Sequence, residues 1–130
     1  MSIVKGAFPK EKEEVRSVIG RLMSALATLG VYRRQEWESV GLGKLLDYII
    51  QAHRWIFGIS EEPPGPLSRQ LGERAKEVVE QLVEQKLAEV REEEERLRQE
   101  GYSDREIQMI YNLYEKNGEW AKEALDWLVG

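Results

Sequence analysis

The chain reads as all-α: about five helices, a basic N-terminal helical arm followed by a helical bundle with one long helix. Three observations predict this class. Val and Ile recur at helical spacing and not in alternation, so apolar residues gather on helix faces instead of on one side of strands. Glu, Lys and Arg are abundant at the same spacing, as solvated helix faces require. Gly, Pro and capping residues fall between the periodic runs, where helices must start or stop.

The first helix is expected to begin after the arm MSIVKGAF, with Pro9 suited to an initial helical position. Glu11, Glu13 and Glu14 favour the positive end of its dipole. Val15, Val18, Ile19, Leu22, Leu26 and Leu29 form one stripe, and Gly30 closes the helix. The second helical region is split. RRQEWESV is a short piece, Gly41-Leu42-Gly43 marks a break, and residues 43–57 continue with an apolar face of Leu42, Leu45, Leu46, Ile49, Ile50, Ile56 and Phe57. Residues 58–66 form a loop stiffened by Pro63, Pro64 and Pro66.

A long helix follows over about 67–100, roughly 50 Å at 1.5 Å per residue, whose Glu-rich end is expected to reach beyond the fold towards a neighbouring subunit. Gly101 ends it, and Ser103-Asp104-Arg105-Glu106 is a capping box. A fourth helix carries Ile107, Ile110, Tyr111 and Tyr114. Asn117-Gly118 is expected to turn the chain before a last short helix with Trp120, Ala124, Leu125 and Leu128.

Charge divides the chain in two. Residues 1–59 hold nine Lys/Arg against six Asp/Glu, and residues 60–130 hold ten against eighteen, which together make the net −5. The expected organisation is therefore a basic 1–59 region that faces a partner and an acidic 60–130 helical body that faces solvent or other subunits.

Composition excludes several classes. Hydrophobic content of 42% is too high for a disordered chain, and the length supports one modest core. No cysteine is present, so neither a disulfide framework nor a thiolate metal site exists, which suits a reducing compartment or a hot environment. The charged content at helical spacing leans towards the hot one. The N-terminus lacks the apolar core of a secretory signal, and no run reaches the roughly 18 apolar residues of a membrane span. His53 is the single histidine and lies on an apolar face, without the spacing of a metal site. Gly41-Leu42-Gly43-Lys44 lacks the upstream glycine, the hydroxyl residue and the strand of a phosphate-binding loop. The Glu92–Glu95 run points its side chains in different directions and reads as a solvated face. No catalytic constellation, cofactor or metal site is expected.

The first helix carries the most information about binding. Opposite its apolar stripe lie Ser17, Gly20, Ser24 and Ala27, all small. Lys12 and Arg16 flank this strip on one edge, Lys10 and Arg21 on the other. Two readings stay open. The strip cradles a nucleic-acid backbone, with hydroxyls and cations on phosphate oxygens, or it packs against another helix while the charges stay in water. Arg33 and Arg34 at a helix junction, and Lys44 and Arg54 on the second helix, are further phosphate candidates. Lys5 in the arm completes the nucleic-acid set. Tyr48 and Trp55 lie off the expected core stripe of the second helix, where either a partner meets them or the third or fourth helix covers them, and Trp120 and Trp127 end the chain. All four are candidates for a partner interface.

This build, with a basic N-terminal arm and helix (Lys5 through Arg21) joined to a C-terminal helical body, resembles the helical major coat proteins of filamentous double-stranded DNA viruses of hyperthermophilic archaea. The resemblance implies a capsid subunit, paired as a homo- or heterodimer, that wraps double-stranded DNA without sequence preference into a helical filament within the virion. Glu11, Glu13 and Glu14 depart from a uniformly basic arm. The rival expectation is a cytoplasmic helical adaptor or regulatory subunit that binds protein and no nucleic acid. A more distant one is an accessory subunit of an enzyme.

Overall fold

A computed structural model describes residues 11–130. Five helices follow one another: α1 (Lys12–Thr28), α2 (Arg34–Ser39), α3 (Gly43–Ile56), α4 (Arg69–Gln99) and α5 (Asp104–Val129), and no described residue lies in a strand. The fold class read from periodicity is the one found, long helix included. Pro9 lies outside the described residues.

One device ends four of the helices. Gly30, Gly41, Gly58 and Gly101 have φ between 75 and 100°, a backbone region closed to most side chains. In each case the next residue's N–H returns to a carbonyl five residues back: Val31 to Leu26 (2.8 Å), Leu42 to Trp37 (2.7 Å), Ile59 to Arg54 (2.8 Å) and Tyr102 to Leu97 (3.0 Å). These bonds satisfy carbonyls that the helix end leaves without a partner. Two of the following residues, Val31 and Leu42, are buried as such a cap favours, whereas Ile59 and Tyr102 stay exposed. Starts are capped as well. Ser68 Oγ accepts from the Leu71 N–H at 3.1 Å. At the head of α5, Ser103 Oγ accepts from the Glu106 N–H (3.1 Å) while the Glu106 carboxylate accepts from the Ser103 N–H (2.8 Å).

The α5 helix corrects one expectation. Asn117-Gly118 does not turn the chain; the helix runs through it without a break. The reason is tertiary. Asn117 is buried, and its side-chain amide donates to the Leu113 carbonyl at 2.8 Å, within the helix. Gly118 faces α4 so closely that a Cβ there would lie 2.5 Å from Cγ2 of Val83. Gly72 on α4 does the same in reverse, with a Cβ position 2.6 Å from Cγ2 of Val129. These glycines let the two backbones approach, at the cost in helix propensity that glycine carries.

The hairpin of α4 and α5 is stapled along its length. The Leu67 N–H donates to the Leu128 carbonyl (2.8 Å), Lys76 pairs with Asp126 (2.9 Å), Lys122 with Glu80 (3.7 Å), and the Tyr111 hydroxyl donates to Glu94 (2.7 Å). Exposed ion pairs of this kind each contribute about 0–1 kcal/mol, so most of the hairpin's stability comes from its apolar seam.

Helix α1 packs on α5 and α3 through Val15, Ile19, Leu22 and Leu26, all fully buried. Its N-terminal end meets the C-terminal end of α3, and its C-terminal end meets α4 near Lys86, whose Cε lies 3.7 Å from a Cβ position on Gly30. The last turns of α4 and the first turns of α5 therefore project past α1. Beyond Val90 no residue of α4 is buried, and before Asn117 only Ile107 of α5 is. From Lys86 to Gln99 this arm is about 20 Å long.

One core cluster joins residues of both charge regions, from Val15, Ile19 and Trp37 to Val79, Leu125 and Leu128. The boundary near residue 60 is thus a boundary of charge; the core runs across it.

Candidate nucleic-acid interface

The small-residue strip of α1 faces outward. Ser17, Gly20 and Ser24 are exposed, and a Cβ on Gly20 would meet nothing within 4 Å. Within one chain no described helix covers the strip. Ala27, at its end, is half-buried. The Thr28 hydroxyl donates back to the Ser24 carbonyl at 3.1 Å, a bond internal to the helix.

The cations on the strip's α3 edge are positioned by aromatic rings. Lys12 Nζ lies 5.4 Å from the ring centroid of Trp55, and Arg16 Cζ lies 5.4 Å from that of Phe57. Such contacts hold a cation by the ring's quadrupole without neutralising it. Arg21 stands on the other edge. Lys5 and Lys10 lie outside the described residues. Glu13 sits on the strip side near the start of the helix, so the stretch most favourable to an anion is centred further on, around Gly20.

Counter-ions divide the remaining cations. Lys12, Arg16, Arg21, Lys44 and Arg54 form no ion pair with any described residue. In the acidic region most cations are paired, namely Arg74, Lys76, Lys86, Arg96, Arg98, Lys116 and Lys122, while Arg69, Arg91 and Arg105 form no ion pair with a described residue. Arg33 and Arg34 behave like the second group. Arg33 bonds Glu36 at 3.0 Å, and Arg34 pairs with Asp47 at 3.6 Å. The Arg33 guanidinium, helped by the Arg33 and Tyr32 N–H groups, pulls the Glu36 carboxyl down to about 2. Their chemistry fixes the start of α2, so they are weaker phosphate candidates than the residues on α1.

Nor does the structure bring every candidate to one face. Lys12, Arg16 and the C-terminal end of α3 that carries Arg54 share one end of the molecule. Lys44 lines a groove of about 1000 Å³ between the start of α3 and α4, with Glu38, Glu73, Arg74 and Glu77. Its neighbours are mainly acidic, a poor setting for phosphate.

The aromatic candidates divide too. Trp55 is buried, and Tyr48 is half-buried with its hydroxyl donating to the Gly65 carbonyl at 2.7 Å. Burial pushes the Tyr48 phenol up to about 12. Both side chains serve the fold, and the expectation that they lie off the core is corrected. Trp127 is partly buried against the core, whereas Trp120 remains exposed.

The same rotation of α3 exposes two residues expected inside, Ile50 and Phe57, the latter at 65%. The core stripe is Leu45, Ile49, Ala52 and Ile56, at steps of four, three and four. Ala52 marks its centre, and Ile50 and Phe57 each stand one residue, about 100°, past it. That spacing is present in the sequence, but the larger side chains around Ala52 mask it. His53 is half-buried with its ring 5.9 Å from that of Phe57.

Among the described residues no group of three or more His, Cys, Asp or Glu is placed to hold a metal ion, and no helix is long and apolar enough to cross a membrane. Comparison of the chain with family models, with curated proteins and with solved structures finds no match.

Proposed function

We propose that the chain is a structural subunit that coats nucleic acid, a capsid protein of the filamentous kind, with α1 against the phosphate backbone. One observation carries this reading: the α1 strip of Ser17, Gly20 and Ser24 lies uncovered, and the cations at its edges have no counter-ion among the described residues. An unneutralised cation row beside small side chains offers close approach, hydroxyl donors and counter-ion release together. The expected partner is double-stranded DNA, read without sequence preference, within a virion. The paired charges of the α4–α5 hairpin then face away, since acidic residues close to phosphates repel across a short gap.

The test is binding of the full chain to duplexes of unrelated sequence across a salt series. Replacing Lys12, Arg16 and Arg21 with Gln should weaken binding equally on every duplex. It should also lower the salt slope by about 0.9 for each phosphate that is no longer neutralised. Circular dichroism separates this from unfolding, because Lys12 and Arg16 also lie over rings of α3. Unchanged affinity and slope in a folded variant would remove the reading. A protein-binding adaptor is the second reading, supported by the exposed Met109 and Leu113 on α5. Under that reading the wild-type chain shows no salt-dependent DNA binding at all.

A further inference from the structure

Asn117-Gly118 reads as a turn in the sequence and lies inside a helix in the fold. The pair also carries a chemistry of its own. An asparagine amide is thermolabile, and the residue after it governs how readily it reacts. The main-chain nitrogen of that residue attacks Cγ, and glycine leaves the approach open because it has no side chain. The chain holds two asparagines. Asn112 is exposed but precedes Leu113, whose side chain obstructs the attack. Asn117 precedes glycine, yet the fold opposes the reaction there. Its side chain is only 5% exposed, so water scarcely reaches it. Its Nδ2 donates to the Leu113 carbonyl at 2.8 Å, which holds the amide along the helix. Helix α5 runs unbroken from Asp104 to Val129. The Gly118 N–H therefore points at the carbonyl four residues back, as in any helix interior, and its nitrogen is turned away from Cγ. Val83 of α4 closes over the pair, with Cγ2 2.5 Å from a Cβ position on Gly118.

We infer that Asn117 is a deamidation site that the fold keeps shut and that reacts only when α5 comes away from α4. In the released segment the Gly118 nitrogen attacks Asn117 Cγ. The N–Cγ bond forms, the Cγ–Nδ2 bond breaks, and ammonia leaves with the proton that the Gly118 nitrogen gives up. Water then hydrolyses the cyclic imide at either carbonyl. Opening at Cγ leaves aspartate. Opening at the main-chain carbonyl leaves isoaspartate, with one more methylene in the backbone. No oxidation or reduction occurs, and water is the sole co-reactant. Neither product fits the closed site. Aspartate sets a carboxylate oxygen where Nδ2 had donated, facing the Leu113 carbonyl, and a buried charge without a partner is costly. The cations nearest to it along α5, Lys116 and Lys122, are already engaged by Glu119 and Glu80. Isoaspartate lengthens the backbone in mid-helix, so the four-residue ladder cannot run through it. The step is therefore one-way: it marks chains whose α5 has opened and hinders them from closing again. Neither nucleic acid nor a second copy of the chain enters the chemistry.

Peptide mass spectrometry of the full chain tests it, after incubation at one temperature and one mildly alkaline pH with and without guanidinium chloride. In unfolding denaturant Asn117 should convert to aspartate and isoaspartate, and faster than Asn112 reacts. In native buffer the conversion should be slower by about a hundredfold or more, since only the open fraction reacts. Between these limits the rate should rise with denaturant as the helix signal in circular dichroism falls. Chains that carry the product should, once denaturant is removed, unfold at a lower denaturant concentration than untreated protein. Asn117→Asp should do so without any incubation. Asn117→Ala cannot form the imide, and after the same incubation it should return to its own starting midpoint, which separates the mark from aggregation. A native rate within about tenfold of the unfolded one overturns the inference. So does an Asn117 that stays unreactive in denaturant, or product chains that regain the wild-type midpoint.

Discussion

Replacing Gly118 with Ala should destabilise the protein, although alanine is the better helix former. Two terms oppose each other. Removing glycine from a helix interior gains about 1 kcal/mol. The new methyl, however, would lie 2.5 Å from Cγ2 of Val83, whereas non-bonded carbons prefer about 3.5–4.0 Å. Relief requires a shift of roughly an ångström between α4 and α5. Val83 is β-branched and stiff at its first torsion, and Val79 stands close behind it, its Cγ1 4.0 Å from the same point. Overpacking of this kind typically costs about 1–3 kcal/mol. The overlap is severe, so the upper part of that range applies and the net loss is about 1–2 kcal/mol. Urea unfolding followed by circular dichroism measures it, since a single domain of this size is expected to unfold in one step. Adding Val83→Ala should recover part of the loss, giving a coupling that distant pairs do not show. A Gly118→Ala protein as stable as the wild type, or more stable, would refute the close approach and with it the account of why α5 continues through Asn117-Gly118.

Gly20→Ala is the matching control: nothing lies within 4 Å of its Cβ position, so it should stabilise by about 0.5–1 kcal/mol, and a loss in the same urea assay would mean that the α1 strip is covered after all. Trp37→Ala, which empties a site only 1% exposed, should cost about 3–5 kcal/mol; a cost below about 1 kcal/mol would show that α2 is not anchored by this ring. Tyr48 has its phenol raised to about 12 against about 10 in the unfolded chain. The folded state therefore holds this proton more tightly. The associated stability is complete below about pH 10 and is lost as pH rises from about 10 towards 12. Tyr48→Phe should show a shallower alkaline decline in urea midpoint than the wild type, and parallel declines would contradict the burial assigned to Tyr48.

Local chemistry was enough to read most of the helices from the sequence, α5 being the one divided in two. The apolar stripe of α1, the break at Gly41-Leu42-Gly43, the stop at Gly101 and the box from Ser103 to Glu106 all depend on residues within one or two turns of each other. The exposure of the α1 strip was not legible in the same way. Ser17, Gly20 and Ser24 serve a helix–helix seam as readily as an open surface, and only the path of α3 and α5 around α1 decides between them. The pairing of Arg33 and Arg34 was half legible: Glu36 is three residues from Arg33, but Asp47 reaches Arg34 only because α3 folds back beside α2.

The amino-acid sequence by itself determined the helical class, most helix ends, the charge division and the long α4, because periodicity, capping and glycine backbone freedom act over a few residues. Tertiary structure decided the rest. It kept α5 continuous through Gly118, since the space of the missing side chain there is filled by Val83 from another helix. It turned Trp55 inward and Ile50 and Phe57 outward, since the buried stripe of α3 runs through Leu45, Ile49, Ala52 and Ile56. It also decided which cations remain without counter-ions, because a pair such as Lys76–Asp126 joins residues fifty positions apart, a distance along the chain that only packing can close.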